Sequence, residues 1–188
     1  MKQQPAAWHG PDWTLFLDRD GVLNRTAPGT YITRIADFQW LPGTVDTLAR
    51  LRPMFGRVVV ATNQQGIAKG LMREADLADL HRTMLAQLEA AGVRLDAVYY
   101  CPHRADAGCA CRKPKPGMAL AAQQQFPEID FRRAWMIGDS ESDIEFGRNL
   151  GMRTIRISGD AAAGSAADLQ ARDLSHAAAL LAGLAAGT

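Results

Sequence analysis

The stretch Thr14-Leu15-Phe16-Leu17-Asp18-Arg19-Asp20-Gly21 decides the fold: an apolar run without polar alternation breaks abruptly into two acids and a glycine. A strand buried on both faces reads this way, as in the middle of a parallel sheet. Four further runs repeat the pattern at Val58–Ala61, Ala97–Tyr100, Trp135–Ile137 and Thr154–Ile157. Between them lie helical spacings. Arg73 to Ala91 carries Leu77, Leu80, Met84 and Leu88 three and four apart and is stopped by Gly92. Thr44–Met54, Gly117–Phe126 and Glu141–Leu150 read as three more helices. Strand–helix alternation of this kind predicts an α/β, doubly wound parallel sheet.

The sequence of 188 residues is long enough for one well-filled domain, and 47% hydrophobic residues supply its core. The expected organisation is a single domain over 1–188, with a flexible N-terminal segment at 1–12 and a peripheral Ala-rich tail at 159–188. In that tail a short edge strand is expected near Asp168–Ala171, then a surface helix from Ser175 to Leu184 and fraying ends. The charge is balanced, 21 Lys and Arg against 20 Asp and Glu, and no basic stripe suggests a nucleic-acid partner. No apolar run approaches the ~20 residues that span a bilayer, and no secretory leader is visible. A cytoplasmic monomer with no membrane or nucleic-acid partner is the expectation.

In parallel α/β sheets ligands bind beyond the carboxyl ends of the strands. Here those ends carry Asp18-Arg19-Asp20-Gly21, Thr62-Asn63-Gln64, Cys101-Pro102-His103 and Gly138-Asp139. Asp18, Asp20 and Asp139 on one rim would repel unless they share a cation, and a hard oxygen-seeking ion such as magnesium suits them. Carboxylates, a metal and backbone donors near Gly21 are the parts of a phosphoryl-transfer site.

The motifs of residues 14–151 resemble those of the haloacid dehalogenase superfamily in its phosphatase form. The run from Leu15 to Leu23 resembles the first motif, Thr62-Asn63-Gln64 the second, Lys113 the third, and Gly138-Asp139 through Asp143 the fourth. The resemblance implies Asp18 as nucleophile, Asp20 as acid and base, Thr62 and Lys113 on the phosphoryl group, and magnesium on Asp18, Asp139 and the Asp20 carbonyl. Asp143 reads equally as an acid behind the site or as an ordinary first-turn helix residue. Arg19 is expected to face solvent or to tie to a neighbouring loop.

All three cysteines lie in one loop, where Cys101-x-His103 precedes Cys109-x-Cys111. Three thiols and an imidazole within eleven residues make a closed tetrahedral set, so structural zinc is expected, holding Arg112 and Lys113 in register. His9, His81 and His176 read as surface residues. Only 43 residues separate Asp18 from Thr62, too few for a large cap domain. Asn63, Gln64, Gln65 and Arg112 are therefore expected to meet the substrate, with Arg25, Arg34 and Lys69 around the entrance.

A capless phosphatase with this zinc loop resembles two related families. One consists of the heptose bisphosphate phosphatases of lipopolysaccharide-precursor synthesis, the other of the histidinol-phosphate phosphatases. Tyr31-Ile32, the run Thr62–Gly70 and Arg112–Met118 favour the first, and so a phosphorylated sugar as substrate. The alternatives are histidinol phosphate, or a catalytically silent, zinc-stabilised binding module.

Overall fold

The computed structural model describes residues 8–27, 29–159 and 165–186. Six strands form one sheet: β1 (Gly10–Leu17), β2 (Phe55–Asn63), β3 (Ala97–Cys101), β4 (Ala134–Gly138), β5 (Arg153–Ile157) and β6 (Leu169–Ala171). Their order is β3-β2-β1-β4-β5-β6 and every pairing is parallel. Among the described residues five helices cover the faces: α1 (Thr44–Leu51), α2 (Glu74–Ala90), α3 (Gly117–Gln125), α4 (Glu141–Asn149) and α5 (Leu174–Ala186).

The central position of β1 follows from its residues. Leu15 and Leu17 enter one core with Leu48 of α1, Leu88 of α2 and Leu181 of α5. Phe16 points the other way, to Met118 of α3 and Phe146 of α4. Both faces of the strand are thus dry, which is what an unalternating apolar run requires. The chain order reverses between β1 and β4, and at that switch point a cleft opens beyond the strand ends. The insert between Asp18 and Thr62 adds α1 and two short 3-10 turns, Ile35–Asp37 and Arg52–Met54, so no cap domain stands over the cleft there.

The expected edge strand in the tail is present as β6. The helix after it does more than lie on the surface: Ser175, Ala179, Ala182 and Gly183 are exposed, but the opposite face is built into the core. Leu174, Ala177, Ala178 and Leu181 are buried in the larger core, because alanine lets the helix lie close to its neighbours. Residues 10–12, expected within a flexible segment, belong to β1. The expected flexibility of residues 1–7 and the fraying at 187–188 lie outside the described residues. Among the described residues no helix is long and apolar enough to cross a membrane.

Candidate active site

Asp18 is the first residue past β1, where its backbone N–H still donates to Ile137 O on β4 (2.9 Å). That bond aims the carboxylate into the cleft rather than along the sheet. Thr62 is the last residue but one of β2, and Asp139 follows β4. Lys113 arrives from the loop after β3 and is almost wholly buried. Its Nζ lies 2.9 Å from Asp18 Oδ1 and 2.5 Å from Asp143 Oδ1, and it donates to Ala61 O at 2.7 Å. Burial alone would lower its pKa, but Asp143 and Asp18 more than offset that and raise it. The ammonium thus makes two ion pairs and one hydrogen bond to a carbonyl.

Asp18, Asp20, Thr62, Lys113 and Asp139 all line one cleft of about 370 Å³. A larger hollow of about 790 Å³ opens at the opposite end of the strands, by Trp13, Arg133 and Arg153, and holds none of this set.

Two glycines make the close approach possible. Gly21 has φ +83°, a conformation side chains rarely adopt, and a Cβ there would collide with the Asp139 carboxylate. A Cβ on Gly138 would strike the Asp143 side chain. The site is built around carboxylates packed directly on bare backbone.

Carboxylate oxygens of Asp18, Asp139 and Asp143 lie within 4.8 Å of one another. Burial pushes Asp18 up to about 7 and Asp139 up to about 6, so one ammonium does not satisfy the cluster. Asp143 has both oxygens engaged: Oδ1 faces Lys113, and Oδ2 accepts from Ser140 N (3.0 Å) and Oγ (2.6 Å), capping α4. It is therefore an acid behind the site and a first-turn cap at once. Asp18 and Asp139 are the carboxylates left for a divalent cation, and they suit a hard one.

In the loop after β3, Cys101, His103, Cys109 and Cys111 converge. Sulfur–sulfur distances run from 3.1 to 3.6 Å, and His103 Nδ1 lies 3.2 Å from Cys111 Sγ and 3.6 Å from Cys101 Sγ. A tetrahedron with metal–sulfur bonds of ~2.3 Å has edges only slightly longer, so the donor set fits zinc. The three cysteines form no disulfide.

Residues 110–184 match the HAD-hydrolase-like family model. Over 161 residues the chain is 40% identical to the D-glycero-alpha-D-manno-heptose-1,7-bisphosphate 7-phosphatase of Mycobacterium bovis, covering 86% of this chain and 80% of that one. The chain belongs to the haloacid dehalogenase-like phosphatase family. It is 38% identical to the D-glycero-beta-D-manno-heptose-1,7-bisphosphate 7-phosphatase of Pseudomonas putida, over 76% of this chain and 81% of the relative. The crystal structure of D,D-heptose 1,7-bisphosphate phosphatase from B. bronchiseptica, complexed with magnesium and phosphate, superposes with a TM-score of 0.80 at 31% identity. That match covers 91% of this chain and 98% of the other. A phosphatase of this family is a phosphoric monoester hydrolase, and the cleft's carboxylates and ammonium suit that chemistry.

The expected substrate contacts of this phosphatase divide. Gln65 and Arg112 line the cleft, Gln65 donating to Tyr31 Oη (3.0 Å) and Arg112 donating to His103 O (3.4 Å). Asn63 also lines it, but its amide brackets the backbone of Lys113, accepting from N at 3.1 Å and donating to O at 3.3 Å. Gln64 is buried and does not line the cleft; its amide nitrogen donates to Asp20 Oδ2 and Thr62 Oγ1 instead. Of the cations expected around the entrance, Arg25, Arg34 and Lys69, none lines the cleft itself; Lys69 donates to Tyr31 Oη (2.6 Å), while Arg34 pairs with Asp37.

Of the two readings offered for Arg19, the solvent-facing one fails, because the residue is fully buried, while its bond to Gln64 in the loop after β2 (3.2 Å) fits the other. The expectation for His81 is overturned: it is buried on α2, not a surface histidine. Each is the other's partner, Arg19 Nη1 lying 3.0 Å from His81 Nε2. A pairing across 62 residues leaves no local pattern, so sequence reading missed it.

Proposed function

We propose that the protein removes the 7-phosphate of a heptose 1,7-bisphosphate through an aspartyl-phosphate on Asp18. The observation that carries this reading is Asp18 itself. It stands at the central strand's end, faced by Lys113, in a chain 40% identical to a protein named for that reaction. Relatives carry names for both anomers, so what they share is the 7-phosphate.

In the first step Asp18 attacks phosphorus, the bond from phosphorus to the sugar oxygen breaks, and Asp20 gives that oxygen a proton. Lys113, 2.9 Å from Asp18 Oδ1, offsets the repulsion between a phosphate dianion and a carboxylate. Thr62 donates its hydroxyl proton to a phosphoryl oxygen. In the second step Asp20 takes a proton from water, which attacks phosphorus, and the bond to Asp18 breaks to release phosphate. Asp18, Asp139 and the Asp20 carbonyl would hold magnesium, which supplies positive charge against the phosphoryl oxygens. Zinc on Cys101, His103, Cys109 and Cys111 would cross-link the loop that delivers Arg112 and Lys113.

The sugar end of the cleft favours a second phosphate over an amine. The loop from Asn24 to Arg34, which brings Thr26, Thr30 and Tyr31 to the cleft, contains no Asp or Glu. An ammonium group such as that of histidinol phosphate finds no carboxylate on that loop, while Arg112, which also lines the cleft, can fork onto an anion. Steady-state kinetics should give heptose 1,7-bisphosphate a kcat/KM well above histidinol phosphate, with Arg112→Ala narrowing the gap. A preference for histidinol phosphate would reject the assignment.

A further inference from the structure

Behind the cleft a buried polar network joins β1, β2 and α2, and the reaction as written uses only its outer end. Arg19 Nε donates to Asp20 Oδ1 (3.1 Å), and Nη2 donates to Oδ1 and Oδ2 (2.9 Å each). Nη2 also donates to Gln64 Oε1 at 3.2 Å, and Nη1 to His81 Nε2 at 3.0 Å. A guanidinium can only donate. Hence His81 Nε2 is the bare nitrogen of its ring, and Gln64 must turn its oxygen towards Arg19.

The direction of every following bond is then set. Gln64 Nε2 donates to Asp20 Oδ2 (2.8 Å) and to Thr62 Oγ1 (2.9 Å). Thr62 therefore receives a hydrogen bond and keeps its own proton for a phosphoryl oxygen. Asp20 is held from a further side by Asn24 Nδ2 at 2.8 Å.

His81 anchors this arrangement to the scaffold. It sits on the buried face of α2 with Leu77, Leu80, Met84 and Leu88. Burial and the neighbouring Arg19 charge press its pKa down to about 3, so the ring stays neutral and remains an acceptor.

We propose that His81 is a positioning residue for phosphoryl transfer. Through Arg19 it holds the Asp20 carboxyl for the leaving oxygen and, through Gln64, turns the Thr62 hydroxyl towards the phosphoryl group. The inference rests on Asp20 being the acid and base of the proposed reaction. A histidine that merely filled the core would affect stability alone, whereas a positioning role shows in leaving-group dependence.

The test compares kcat/KM for heptose 1,7-bisphosphate, an alkyl phosphate, with that for an activated aryl phosphate whose leaving group needs no proton. His81→Met should lower the alkyl value by about 10- to 100-fold and the aryl value less than about threefold. His81→Gln, which restores an acceptor, should recover most of the loss. Arg19→Lys provides a second measurement should His81→Met fail to fold by thermal melting, and it should widen the same gap. Equal losses on both substrates, or none, would overturn the inference. Asp20→Asn runs alongside. If it fails to widen the gap, the acid/base reading falls and this inference with it; if it widens the gap and the His81 and Arg19 variants do not, only the inference falls.

Discussion

Replacing Lys113 by methionine tests how the site is held together. Methionine has similar reach and no charge, so the change removes the ammonium with little loss of volume. It leaves Asp18 and Asp143, formerly 2.9 and 2.5 Å from Nζ, as buried carboxylates without a counter-charge, and strips Ala61 O of its donor. Removing one partner from a buried ion pair costs about 3–5 kcal/mol. For a protein of this size each kcal/mol shifts Tm by about 2–4 °C, so the melting point should fall by roughly 6–20 °C. Thermal unfolding followed by circular dichroism, in chelator, reads this directly. Adding Asp143→Asn should restore about 1–3 kcal/mol, because one orphaned charge goes while an amide oxygen still accepts from Ser140. The turnover number should fall at least about 10²-fold in both variants, since neither restores positive charge beside Asp18. A Lys113→Met protein melting within ~2 °C of the parent, or a double variant less stable than the single one, would refute the charge argument.

Three other perturbations separate the parts of the site. Asp18→Asn, close in shape but not nucleophilic, should abolish turnover while the protein still folds, as its circular dichroism spectrum will show, and more than trace activity would remove Asp18 from its role. Elemental analysis of protein purified without chelator should find about one zinc per chain, and Cys109→Ser should lose zinc and activity together. Gly21→Ala should push the Asp139 carboxylate out of place, because the new Cβ occupies its position and the backbone sits at φ +83°. Its signature is a higher magnesium concentration for half-maximal activity, and an unchanged requirement would contradict the packing.

The strands were legible because each apolar run is buried on both faces, so composition alone marks it. The Cys/His cluster was legible because its four side chains fall within eleven residues, and convergence at that range hardly depends on the rest of the fold. The tail misled for a physical reason. Leu174, Ala177, Ala178 and Leu181 follow the three-and-four spacing of a core-facing helix, but two of the four are alanines. Their small side chains bury little apolar area individually. What they contribute is close approach, which a hydrophobicity pattern does not weigh.

The polar interior shows a different limit. Residue identity and strand-end placement announced that Asp18, Asp20, Thr62 and Asp139 share one cleft, since each stands at or just past the end of its strand. Arg19 and Gln64 sit among the same motifs, yet their job is to fix the direction of hydrogen bonds, and direction depends on what lies across the fold. Arg19 between two acids reads as a surface cation until His81, 62 residues later, offers it a bare nitrogen inside the core. Once that acceptor is in place the guanidinium can turn only one way, Gln64 must follow, and Thr62 is left with a proton to give. A motif thus names the groups that line the cleft, while the direction of the hydrogen bonds behind them depends on a helix that carries none of the motif.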